Sequence, residues 1–244
     1  MHELWDASRP RADAGETAIG RAAAAELIGS FIVVLVGAGS VVVAGSVGSG
    51  LVGVALATGL AFGAALAATL PLSGGGVNPV LTAGFWIVGH LSTQRAIVYV
   101  AAQALGGVLA GLLLRVAVPE ATWQPSGLGA PLLADGVGTG RGVLVEAVFS
   151  FLLTLLAFAS IVDDRSSSSG RAATSLGALL AAATLVAWPL TGAALNPVRA
   201  LGPEIAGGVW SGWWIYWVGP LAGGVIGAVA YWSALLRGTD ADAG

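Results

Sequence analysis

The sequence predicts an all-α membrane protein of six transmembrane helices plus two re-entrant half-helices, arranged as an inverted repeat. Three observations carry that expectation. The 244 residues are 56% hydrophobic and 9% charged, with a mean hydropathy of +0.86, a balance that suits helices in lipid and no water-soluble domain of this size. Six long apolar runs can be drawn through the chain. Two short stretches, Ser73-Gly-Gly-Gly-Val-Asn-Pro-Val80 and Gly192-Ala-Ala-Leu-Asn-Pro-Val-Arg199, repeat one pattern at corresponding places in the two halves.

In chain order, Met1–Arg21 is polar and lacks the basic-then-apolar pattern of a signal peptide, and reads as a disordered cytoplasmic tail. The crossings are expected at about Leu27–Val47, Leu51–Leu70, Ala96–Val118, Gly142–Val162, Ala172–Leu190 and Trp213–Leu236. After the second and the fifth comes an Asn-Pro pair. Asn is a preferred N-cap and Pro is pre-set for the first helical position, so a helix starts at each. From Asn78 it can run to about Val88 and from Asn196 to about Ala206, roughly 11 residues against the roughly 20 that a bilayer core requires. Residues 22–237 then form one channel-like domain, with repeat 1 over about 22–118, repeat 2 over about 142–237, and a short cytoplasmic tail over 238–244.

Glu26 precedes Asn78 by 52 residues and Glu146 precedes Asn196 by 50. The pairs Gly106-Gly107 and Gly223-Gly224 follow the two asparagines at nearly equal intervals. Three crossings per repeat is an odd number, so the second copy is inverted and the half-helices enter from opposite faces with their N-termini meeting at the bilayer centre. Six crossings leave both termini on one side. Arg9, Arg11, Arg21, Arg95, Arg165, Arg171 and Arg237 fall there, against Arg115 and Arg141 on the other, which predicts a multi-pass protein of the cell membrane with cytoplasmic termini.

Two facing helix N-termini give a positive field without a titratable group. The amides of Asn78 and Asn196 can donate hydrogen bonds there, and the irregular backbone at Gly74, Gly75, Gly76, Gly192 and Ala194 can offer carbonyls to a water-filled lumen. Such a thread admits neutral hydrogen-bonding molecules and opposes cations and hydronium. Arg199, one turn into the second half-helix, is a charge at a costly depth and reads as functional. Glu26 and Glu146 have two readings: interfacial acids favoured by a helix dipole, or inward-reaching side chains that hold the irregular loops.

These residues, with Ala102-Gln103-x-x-Gly-Gly, make the chain from about Ala22 to Arg237 resemble the aquaporins, the major intrinsic protein family. The resemblance implies a pore in each subunit, a homotetramer and passive flow. It implies a central constriction at Asn78, Asn196, Val80 and Val198, the two valines standing where the family usually has Ala. It implies an outer selectivity filter that falls on Thr58, Thr184, Ala193 and Arg199. Water-selective members place an aromatic and a His at the first two of these positions. Two small threonines instead suggest a wide, polar filter. Gly76 replaces a common His and is expected to remove a side chain beside the inner half of the pore. The tail of the second box and Trp214–Pro220 look most like the nodulin-like intrinsic subfamily and its bacterial relatives, which implies glycerol, urea and metalloid acids such as arsenous, boric or silicic acid as solutes.

A strict water channel is the alternative, and a secondary active transporter a further one, since inverted repeats and broken helices occur there too. A proton-coupled transporter needs a midplane carboxylate, for which Glu26 and Glu146 are the candidates. A hydrolase lacks its chemistry: His2 and His90 are the two histidines and there is no Cys. No catalytic residue, cofactor or metal is expected. The expected partners are water, small neutral solutes and the lipid bilayer. A net charge of −3 spread over loops argues for no nucleic acid. Trp210, Trp213, Trp214 and Trp217 read as an interfacial belt, His90 as a solvated loop residue, Ser166–Ser169 as a flexible loop, and Gly107, Gly111, Gly223 and Gly227 as helix-contact residues.

Overall fold

Helices take up every apolar run in the computed structural model, which describes residues 15–163 and 169–236. In chain order they are α1 (Gly15–Val47), α2 (Gly50–Ser73), α3 (Pro79–Ile87), α4 (Thr93–Ala117), α5 (Glu120–Trp123), α6 (Thr139–Ala157), α7 (Ser169–Thr191), α8 (Pro197–Gly207) and α9 (Ile215–Tyr231). Single π-helical turns continue α6 to Val162 and α9 to Leu236. Six of these helices carry apolar spans of 22 to 28 residues, enough to cross a bilayer. Two, α3 with 9 residues and α8 with 11, are the half-helices.

The expected ends of the crossings shift by a few residues, except at the start of α1. Residues 15–21, expected in a disordered tail, begin that helix instead. Ala18 and the run Ala22–Ala25 are strong helix formers that extend it beyond the apolar stretch. The expectations for residues 1–14, for Arg165 and Ser166–Ser168, and for 237–244 lie outside the described residues.

Both halves pack in the same way. A Cβ added to Gly106 would overlap the Leu27 carbonyl where α4 meets α1, and one added to Gly223 would overlap the Ala147 carbonyl where α9 meets α6. At Gly227 it would stand 2.8 Å from the Phe151 carbonyl. The halves meet where α2 crosses α7: a Cβ on Gly177 would come 2.7 Å from the Gly59 carbonyl, and one on Gly63 would come 2.9 Å from that of Ala173. Small residues thus let backbones touch, which is the main source of helix association in lipid.

The half-helices are held in cross-fashion. α3 lies against α9 and α8 against α4, so each repeat's half-helix packs on the last crossing of the other repeat. Gly107 and Gly111 make room for Val198 and Gly202 of α8. Pro71 and Pro189, at equivalent places in the two halves, lie near the last turn of α2 and α7, just before each chain leaves the helix for its irregular loop. Trp210, Trp213 and Trp214 are exposed in the α8–α9 link. His90 differs from its expectation: it is half-buried, with its ring 5.6 Å from that of Phe85.

Candidate functional site

Asn78 and Asn196 share an extended backbone, with φ −156° in both, and each caps its half-helix. Asn78 Oδ1 accepts from the Val80 N–H at 2.9 Å, and Asn196 Oδ1 from those of Val198 at 3.0 Å and Arg199 at 3.4 Å. The amide nitrogens reach across. Asn78 Nδ2 donates to the Leu195 carbonyl at 2.9 Å, and Asn196 Nδ2 to the Val77 carbonyl at 3.3 Å. These crossed bonds bring the two half-helix tips together. An amide nitrogen has two donors, so each asparagine keeps one N–H beyond the crossed bond.

The loops feeding the caps are irregular, with Gly74 (φ 87°), Gly75 (φ 71°) and Val77 (φ 39°) in the first and Gly192 (φ 76°), Ala193 (φ 45°) and Leu195 (φ 50°) in the second. A left-handed backbone at Val or Leu costs of order 1–3 kcal/mol and persists only when its surroundings dictate it. The two glutamates supply that constraint. Glu26 is fully buried and accepts from the N–H groups of Gly76 at 2.9 Å and Val77 at 2.6 Å, from Ser73 Oγ at 2.5 Å and from Gln103 Nε2 at 2.6 Å. Glu146, equally buried, accepts from the N–H groups of Ala194 at 3.0 Å and Leu195 at 2.8 Å and from Thr191 Oγ1 at 2.7 Å. Of their two readings, the inward-reaching one describes the geometry.

A trans peptide is planar with C=O opposite N–H. Because the N–H groups of Gly76, Val77, Ala194 and Leu195 point at a glutamate, the carbonyls of Gly75, Gly76, Ala193 and Ala194 point away from it. The Ser73 and Thr191 hydroxyls turn the Gly75 and Ala193 N–H groups in the same manner, which aims the Gly74 and Gly192 carbonyls away from them. Six carbonyls in two short ladders therefore remain for something other than protein.

Arg199 is 2% exposed, and its Nη1 donates to the Gly129 carbonyl at 2.7 Å. Its guanidinium carbon stands 5.9 Å from the centre of the Trp188 ring. A Cβ on Gly37 of α1 would lie 3.8 Å from Thr58 Oγ1 and 4.0 Å from Arg199 Nε, so the structure brings Thr58 and Arg199 to one spot. Thr184 is buried and its hydroxyl donates back to the Leu180 carbonyl at 2.7 Å, so that proton is already used within α7. Ala193 is buried in the second loop.

Val80 and Val198 are fully buried, and one methyl group of each occupies the space left by Gly224 and Gly107. Around Gly76 there is no empty place. A Cβ there would come 2.8 Å from Glu26 Oε2, 2.9 Å from Thr82 Oγ1 and 3.0 Å from Gln103 Nε2, so that direction leads into the polar cluster behind the loop.

Most of the support comes from residues outside the motifs. Tyr99 and Tyr216 hydroxyls donate to the Ser73 and Thr191 carbonyls, each at 3.0 Å. Both pairs recur at nearly the offset that separates the asparagines, a signal that a search for equivalent polar residues would have found. Arg115 donates to the Ala206 carbonyl at the end of α8 and lies 5.4 Å from the Trp123 ring, tying that half-helix to the connection that presents Gly129. No local signal marks this bridge, nor Trp188.

Residues 14–231 match the family described as Major intrinsic protein. The chain belongs to the major intrinsic protein family. Aquaporin TIP4-4 of Zea mays is 39% identical over 227 residues, covering 90% of this chain and 88% of that one. Probable aquaporin TIP3-2 of Arabidopsis thaliana is 39% identical over 224 residues, covering 86% and 82%. The aquaglyceroporin of Plasmodium falciparum, solved by X-ray diffraction, superposes with a TM-score of 0.82 at 18% identity, covering 91% of this chain and 99% of that one, and shows the shared fold. The nodulin-like and bacterial affinity is not borne out, since these relatives are plant TIP aquaporins. As an aquaporin the protein is a multi-pass passive channel and no enzyme, which sets aside the transporter and hydrolase readings.

Proposed function

We propose that this aquaporin conducts water together with small uncharged solutes, glycerol and urea first and the metalloid acids arsenous, boric and silicic next, while excluding protons and ions. The observation that carries the proposal is the meeting of the two capped half-helices, where one spare N–H on each asparagine adjoins two ladders of unclaimed carbonyls. A chain of neutral molecules can donate to those carbonyls and accept from the asparagines. At the tips the helix dipoles turn an accepting oxygen inward from both sides, which opposes a continuous proton wire. Asn78 and Asn196 form the centre, and Gly74, Gly75, Gly76, Gly192 and Ala194 line the approaches, with Ala193 added. Glu26 and Glu146 hold the loops.

Thr58, Thr184, Ala193 and Arg199 form the filter in this reading, and the three small side chains of that set favour solutes wider than water. The domain limits of about 22–118 and 142–237 follow the two repeats, and the subunits assemble as homotetramers. The arginine distribution supports cytoplasmic termini in the cell membrane. A strict water channel is favoured instead by how little surface the site shows: Asn78 is 1% exposed, Asn196 and Thr58 5%, and Arg199 2%.

Replacing Thr58 by Phe and Thr184 by His together separates the two readings. In proteoliposomes the wild type is expected to re-swell in glycerol and urea, and the double variant to keep water flux while losing re-swelling about tenfold or more. Equal glycerol entry in both would show that the filter lies elsewhere.

A further inference from the structure

Where α5 and the following 3₁₀ turns connect the halves, a cavity of about 230 Å³ opens, and one of its lining residues, Trp188, is also the ring beside Arg199. It is bounded by Val41 of α1, by Gly127, Ala130 and Leu132 of the connection, by Gly192, and by Trp188 of α7. The volume is below the roughly 300 Å³ at which sites for drug-sized ligands begin, so it suits molecules of a few heavy atoms. Trp188 is the largest of these residues and the one aromatic side chain among them. It lies one turn beyond Thr184 on α7, on the same helix face and further toward the opening. The ring is half-buried, within cation–π distance of the Arg199 guanidinium, whose other hold is the Gly129 carbonyl.

We propose that Trp188 is a specificity-determining residue of this channel, forming with Arg199 a separate threshold outside the four-residue filter that sets the largest solute able to enter. The inference rests on reading Arg199 as a pore-lining residue. In the filter reading two threonines, and no bulky side chain, stand at the level of Arg199, and the Thr184 hydroxyl proton is already used within α7. The bulk comes instead from one turn further out. The indole face limits the width of the entry, and it fixes the guanidinium so that the remaining N–H donors point at the passing molecule. A narrow, hydroxyl-rich or amide-bearing neutral molecule slips past with its apolar side on the indole. A longer or branched polyol is stopped at the mouth, whatever the width below.

The test compares wild type, Trp188→Phe and Trp188→Ala in proteoliposomes, with re-swelling in urea, glycerol, erythritol and xylitol and with water flux in the same vesicles as the measure of a folded pore. Trp188→Ala is expected to raise entry of the largest solutes about tenfold relative to water, while Trp188→Phe stays within about twofold of the wild type. An unchanged solute profile in Trp188→Ala, with Arg199→Val changing it in parallel vesicles, overturns the proposal and leaves the wide-filter reading in place. If the wild type passes water alone and Trp188→Ala admits urea or glycerol, the threshold stands and the wide-filter reading of the wild type fails. Should the alanine variant conduct no water, Trp188→Leu, which keeps an apolar side chain of intermediate size, gives the same comparison, with a larger cut-off expected and an unchanged one decisive against.

Discussion

Val80 and Val198 each fill a space that a glycine on a neighbouring helix leaves open, Gly224 for the first and Gly107 for the second. Their size therefore belongs to packing. Val80→Ala is expected to cost about 1–2 kcal/mol through the cavity it leaves, with water flux per folded channel unchanged. Gly224→Ala alone should cost about 1–3 kcal/mol by overpacking, and the two changes together should recover most of the loss, as a double-mutant cycle on thermal unfolding in detergent would show. A rise in flux in Val80→Ala would instead put that side chain in the pore. At this scale the sequence was legible where chemistry sits in a contiguous motif: Asn78, Asn196 and Arg199 declare themselves by neighbours. The direction of a side chain was not legible, because Val80 and Val198 read alike whether they face a gap or a glycine. Gly129 and Trp188 meet Arg199 from distant segments, and nothing beside them in the chain says so.

Among the elements, the half-helices are the best example of structure read from sequence. Cap, proline and an apolar tail too short to span fix α3 and α8 nearly to the residue. What the chain does not spell out is how a loop with left-handed Val77 or Leu195 is kept in place. The answer lies in a carboxylate from another helix. In Glu146→Gln one acceptor oxygen becomes a donor, so an N–H of Ala194 or Leu195 or the Thr191 hydroxyl faces a like group. A loss of about 1–3 kcal/mol is expected, together with a lower water flux per channel. Reconstituted flux and unfolding temperature measure both, and a variant as stable and as conductive as the wild type would show that the loop does not depend on Glu146. The same change at Glu26 should be milder, since Gln103 and Ser73 can turn to meet an amide.

The whole molecule follows from the repeat. Nearly equal spacing of Glu, Asn-Pro and Gly-Gly in two halves with an odd number of crossings points to a pseudo-two-fold arrangement, and the glycine contacts of α1 with α4 and of α6 with α9 mirror one another. Composition made the six spans plain. It could not mark the start of α1, where alanines carry a helix past the apolar run into polar sequence. Assembly belongs to this scale as well. Large apolar side chains such as Leu60 of α2 and Val186 of α7 are exposed, at 71% and 60%, and a tetramer would cover part of that surface. Native mass measurement in mild detergent is expected to give four chains, and a stable single chain that conducts water would remove the tetramer from the account.

The central claim is passive, proton-tight passage of neutral molecules between Asn78 and Asn196. Stopped-flow light scattering on proteoliposomes loaded with a pH-sensitive dye tests it most directly, under an impermeant osmolyte, then glycerol and urea, each with an imposed pH gradient. Fast shrinkage, re-swelling in both solutes and a dye signal no faster than in empty vesicles are expected. Water flux accompanied by dye acidification above that of empty vesicles would contradict it, because two facing helix N-termini would then be failing to break the proton path.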